Sequence, residues 1–144
     1  MPSAPRAHSA YTNAVNDRLN KRAKPLIRLI KLWNAECGAG IRSIYLELRI
    51  ARRLQGLDRV SYAVEVAETL AALHAGGLRA MRDPLGLTGL IAPCSDARKT
   101  VALSRLARAA VRADKALQAE DAGDVRAAFH WWRRVFNGAF PAYG

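Results

Sequence analysis

The chain has 144 residues, and its 51% apolar fraction excludes disorder and leaves room for one domain with a sizeable core. Its 23 Lys+Arg against 12 Asp+Glu give a formal net charge of +11. That excess says little about fold but directs attention to anionic partners: nucleic acid, nucleotides or an acidic protein surface.

In chain order, residues 1–10 read as a flexible lead-in and residues 11–144 as a single helical domain. Tyr11–Arg22 fits a first short helix, with Val15 and Leu19 on one face. Pro25–Glu36 follows, since proline suits a first helical turn, with Leu26, Ile30, Trp33 and Cys37 as its apolar stripe. Gly38 and Gly40 stop it. Ser43–Leu54 has β-branched content, but Leu, Glu, Ala and Arg favour a helix. A fourth helix is expected from the Asp58 cap to about Met81, bent or broken at Gly76-Gly77, before turn chemistry in Asp83-Pro84-Leu85-Gly86. Leu87–Cys94 reads as an extended loop. Ser95 or Asp96 caps a long helix to about Ala119, with Val101, Leu103, Leu106, Ala110, Ala113 and Leu117 as its apolar positions. Asp124 caps the last, which runs through Phe136 to Gly138. The sum is an all-α fold, a compact bundle of about five helices with no convincing strand.

No run of about 18 apolar residues exists, so no membrane span is expected. Cys37 and Cys94 are too few for a disulfide framework or a zinc site, which points to a reduced, cytoplasmic location.

Lys24, Arg28 and Lys31 recur four and three residues apart, so one helix face presents all three, with Lys21 and Arg22 extending the charge. Such a face can hold phosphates outward while the apolar side packs inward, and an ordinary solvated face fits the same pattern. Arg105, Arg108, Arg112 and Lys115 repeat the spacing, joined by Arg98. Nothing aromatic interleaves with this second row, so it reads as a solvated face that could also attract a polyanion such as nucleic acid. Ser43 opens a helix after Gly38-Ala39-Gly40, where a phosphate could be held, though capping explains a serine equally well. Glu47, among apolar neighbours, calls for a basic partner. Trp33, Trp131 and Trp132 suit the core better than stacking platforms. The sequence shows no Walker loop, no GxGxxG, no ligand spacing among His8, His74 and His130, and no set of carboxylates suited to a metal. The close acidic pairs, Glu65/Glu68 and Glu120/Asp121, sit on helix surface or turn.

The stretch from Asn16 to Glu47, NDRLNKRAKPLIRLIKLWNAECGAGIRSIYLE, resembles the corresponding region of bacterial CD-NTases, relatives of cyclic GMP-AMP synthase and the oligoadenylate synthases. DPLGLTGLIAPC, the Ala/Arg helix and the closing FHWWRRVFNGAFPAYG extend the resemblance over Tyr11 to Gly144. It implies the C-terminal helical lobe of an enzyme that joins nucleoside triphosphates into cyclic or linear oligonucleotide second messengers, often in antiviral defence. The Gly-Ser motif and metal-binding aspartates of the family belong to an N-terminal catalytic lobe that these residues do not include. Magnesium and NTP are therefore implied for the full enzyme, and this chain alone is expected to be inactive. Carried over by motif, Lys31 corresponds to a lysine that contacts nucleotide phosphates, with Arg28 and Lys24 as weaker matches, and Ser43 to a serine near the triphosphate. Ile44 stands where some relatives have an aromatic base contact, and Tyr45 is one position away. The implied partners are a nucleoside triphosphate and the catalytic lobe. The interface left exposed without that lobe could drive self-association. A stand-alone basic module binding nucleic acid or an acidic protein is the alternative.

Overall fold

A computed structural model describes residues 4–19, 23–55 and 61–139. In order, the elements are α1 (Ala4–Arg18), α2 (Ala23–Glu36), α3 (Ser43–Leu54), α4 (Tyr62–Ala75), β1 (Met81–Arg82), β2 (Leu90–Ile91), α5 (Asp96–Asp121) and α6 (Val125–Val135). The described residues are thus mostly helical, with six helices rather than about five. The α1, α2 and α3 helices pack on one another, α2 meets α4, and α5 packs against both α4 and α6. One apolar core links them, with Leu26, Ile30 and Trp33 from α2, Tyr45 and Leu48 from α3, Leu70 from α4, and Phe136 just beyond α6.

The long α5 turns Ala102, Ala109, Ala113 and Ala116 inward around Leu106. Small side chains let its backbone approach α4 and α6 closely, so the alanines, not the bulkier residues, form its inner face. Val101 is exposed, and Leu103, Ala110 and Leu117 are half-buried at the edge. Its start is capped as expected, with the Ser95 hydroxyl accepting from the Arg98 N–H, and Asp124 likewise accepts from the Ala127 N–H before α6.

Three expectations need correction. The first helix begins at Ala4, not Tyr11, so much of the supposed lead-in is helical; its proline falls in the first turn, where no intrahelical hydrogen bond is lost. The fourth helix ends at Ala75, when Gly76-Gly77 stops it outright rather than bending it. Met81 then belongs to a short antiparallel hairpin, in which Met81 pairs with Ile91 and Arg82 with Leu90, so Leu87–Cys94 is not wholly loop. The Asp58 cap, Lys21, Arg22 and the last five residues lie outside the described residues.

Asp83 organises that hairpin. Its carboxylate, with no exposed side-chain surface, accepts from the Leu85, Leu87 and Thr88 N–H groups and the Thr88 hydroxyl. His8 Nε2 lies 2.9 Å from Asp83 Oδ2, which ties α1 to the hairpin and gives the early helix a buried anchor. Burial pushes the Asp83 carboxyl up, but the Leu85, His8 and Thr88 donors outweigh it and hold the group well below the usual carboxylate range. A depressed carboxylate contributes stability that is complete above about pH 5 and lost as pH falls through and below the ordinary range. Asp83→Asn is therefore expected to cost about 2–4 kcal/mol at pH 7. In urea unfolding followed across pH 3–7, it should also flatten the acid limb of the stability curve.

Candidate functional site

The α2–α3 connection is braced by side chains from α2 and from α5. The Asn34 side chain donates to the Ile41 carbonyl at 2.8 Å and accepts from the Ile41 N–H at 3.0 Å. Arg98 donates to the Gly38 carbonyl at 2.9 Å, and the Arg42 N–H donates to the Pro93 carbonyl at 2.8 Å. Gly40 has φ of +74°, which favours glycine, and a Cβ there would lie 2.7 Å from the Arg98 guanidinium and displace it. The result is a fixed start for α3.

At that start Ser43 is exposed in the first turn, and Arg42 before it offers no side-chain cap. The first N–H groups of α3 therefore have no side-chain acceptor, and the positive end of the helix stays open. Glu47 lies one turn beyond Ser43 on the same face and meets Lys31 from α2, with Nζ–Oε1 of 2.6 Å. The basic partner expected for Glu47 is thus the same lysine that the resemblance places at a phosphate. Both side chains keep about a third of their surface in water (34% and 36%), so the pair contributes about 0–1 kcal/mol. Lys31 thus reaches α3 one turn beyond Ser43. Lys24 is exposed at the start of α2. Arg28 diverges: it borders an apolar groove of about 590 Å³ between α2, α4 and α6, lined by Leu29, Leu32, Phe129 and Trp132 among others.

Neither residue proposed to touch a base is suited to it. Tyr45 is fully buried and donates its hydroxyl to the Arg79 carbonyl at 2.6 Å, and Ile44 is half-buried at the core edge. The tyrosine can sit inside because its ring joins the core while its hydroxyl is satisfied.

The second basic row departs most from its expected solvated face. Arg105, Arg108 and Arg112 line a cleft of about 360 Å³ where the C-terminal ends of α2 and α6 meet α5, together with Trp33, Cys37, Arg134 and Asn137. Arg105 and Arg112 are half-buried there. Burial, reinforced by repulsion from Arg134 and Arg108, pulls Arg112 below the ordinary arginine range. Burial raises the Cys37 thiol, whose Sγ lies 3.4 Å from the Val135 carbonyl, which disfavours the thiolate. Lys115 leaves the row: its ammonium lies 4.6 Å from the centre of the Trp131 ring, with Arg134 at 5.5 Å from the same ring. Sequence spacing alone could not find Arg134, which joins from a different helix. Trp33 and Trp132 are buried as expected, while Trp131 is half-buried under these cations.

The carboxylates do not fit a resident divalent cation. Among the described residues no three His, Cys, Asp or Glu side chains gather to hold one. Glu65 and Glu68 both bind Arg53, and Glu120 accepts from the Trp132 indole N–H. Comparison with protein-family models and with curated proteins finds no match to this chain. Gly40→Ala should lower stability by about 1–2 kcal/mol in denaturant titration, from backbone strain and displacement of Arg98. Gly38→Ala, at φ +62° with nothing within 4 Å of its Cβ, should cost less.

Proposed function

We propose that this chain is the nucleotide-facing helical lobe of a CD-NTase-like nucleotidyltransferase, acting on nucleoside triphosphates once a separate catalytic lobe supplies the metal-binding carboxylates. In this reading the helices form the compact bundle of such a lobe, and its products are cyclic or linear oligonucleotide messengers. One observation supports it: Lys31, which the sequence resemblance pairs with a triphosphate, reaches α3 at Glu47, one turn from Ser43 at the uncapped start of that helix. An ammonium, a hydroxyl and unbonded N–H groups are the donors that a phosphate chain takes up. Glu47 holds Lys31 in place between substrates. Because that exposed pair is weak, a triphosphate can displace the carboxylate at little cost. Lys24, about 10 Å along the helix from Lys31, suits the outer end of a phosphate chain.

The chemistry divides between lobes. This one orients the incoming nucleotide; magnesium and the aspartates that carry it belong to the other, which accords with the committed carboxylates here. Titrating the labelled chain with ATP should shift the Ser43 and Ile44 amides. Lys31→Ala and Ser43→Ala should each weaken binding by about tenfold, the loss for a charge-assisted contact. Amides that stay unmoved, or variants that bind as well as the parent chain, would rule the reading out. Robust oligonucleotide synthesis by the chain alone with magnesium and NTPs would overturn the division between lobes.

A further inference from the structure

The arginine cleft at the junction of α2, α5 and α6 has no part in that reading, yet it gathers Arg105, Arg108, Arg112 and Arg134. Two of its donors are orphans. Arg105 Nε and the Trp33 indole Nε1 are both buried, and neither meets a hydrogen-bond partner among the described residues. Both residues line the same cleft. A buried donor left unpaired costs about 1–3 kcal/mol, so each of these two calls for an acceptor.

A purely structural role accounts for part of the cluster. Arg112 donates to the Arg134 carbonyl at 3.3 Å, and Asn137 donates to the Glu36 carbonyl at 3.2 Å, so both residues serve the C-terminal ends of helices. Two helix ends supply about one negative charge between them, and Glu36 at the rim adds another. About half of the guanidinium charge of Arg105, Arg108, Arg112 and Arg134 then stands unbalanced. Capping also leaves the Trp33 and Arg105 donors unused.

We infer that this cleft is a second anion site, built for clustered phosphates such as a nucleotide polyphosphate or an inorganic polyphosphate. Guanidinium forks match phosphate oxygens in pairs, and four of them at one concave point suit several linked phosphates better than a single carboxylate. The volume of about 360 Å³ falls within the range of small-ligand sites, about 300–1,000 Å³. A neighbouring depression of about 580 Å³ shares Arg112, Arg134 and Asn137 and adds Arg126, Phe129 and His130, leaving room for the organic part of such a ligand. The charge gathers at a point instead of running along α5, because Lys115 is held at Trp131. A long polymer backbone would favour a continuous stripe.

The test is calorimetric titration of the full chain with inorganic tripolyphosphate, ATP and a single-stranded RNA oligonucleotide, with the Trp33 indole N–H followed by NMR. Tripolyphosphate should bind one to one and move that resonance, separately from the Ser43 amide. Arg105→Gln and Arg112→Gln should each weaken it by about tenfold or more. Arg108→Gln, on an exposed residue, keeps the comparison valid if either of those loosens the fold, and Arg82→Gln on the hairpin controls for net charge. ATP binding as tightly as tripolyphosphate identifies phosphate alone as the recognised group, and tighter ATP binding identifies a nucleotide; both support the site. An unmoved indole, binding indifferent to the cleft arginines, or RNA binding that outstrips tripolyphosphate with a steep salt dependence would each overturn it.

Discussion

Between α2 and α3 the chain must reverse over residues 37–42, and the Asn34 amide makes the reversal by bonding both polar groups of Ile41. Everything with functional promise hangs from that clamp. On one side it delivers the open end of α3 to Lys31. On the other it leaves Cys37 and Gly38 at the floor of the arginine cleft, where Arg98 grips the Gly38 carbonyl from α5. A side-chain amide is well matched to this work, since it donates and accepts at once. An alanine would leave both Ile41 groups to find other partners next to a residue that is itself buried.

Helical segments with strong periodicity were legible from sequence because their apolar residues recur with the helical period. The α3 bounds match the expected Ser43–Leu54, and both Ser95 and Asp124 cap as their positions suggest. What was not legible depended on partners distant in the chain. His8 in a proline-containing N-terminal stretch gives no sign that Asp83 waits 75 residues away. The β1–β2 hairpin is two residues per strand, too short for alternation to register. The inner face of α5 was read only in part, with Leu106 and Ala113 buried as expected but Ala102, Ala109 and Ala116 missed, for a different reason. Hydrophobicity ranks leucine and valine above alanine, but close helix approach selects the small side chains.

The same distinction governs the two basic rows. Spacing on a single helix treats Lys24, Arg28, Lys31 and Arg105, Arg108, Arg112 alike, because both repeat every three or four residues. The structure separates them by what lies opposite. Lys31 faces a carboxylate and is half neutralised, whereas the α5 arginines face Arg134 and two helix C-termini. A cation opposite an acid already has a counter-charge, which an incoming phosphate must displace. Cations opposite one another, partly out of water, repel until an anion is present, and that repulsion adds to burial in lowering Arg112.

The helix α2 carries both regions. Lys31 and Trp33 are two residues apart, roughly 200° around a helix, and so leave it in nearly opposite directions. Lys31 reaches the face shared with α3, while Trp33 lines the cleft toward α5 and α6. Between them the backbone is regular helix with Ile30 and Trp33 almost wholly buried, so α2 can shift only as a rigid unit against the core. A phosphate drawn into the cleft would bear on Trp33 and Cys37, at the end of α2 from which the Asn34 clamp fixes α3. Coupling between the two regions has two routes, that clamp and the α2–α3 packing crossed by the Lys31–Glu47 pair. The loop that appears in sequence as a plain glycine stop is therefore a part of the chain on which both sites depend.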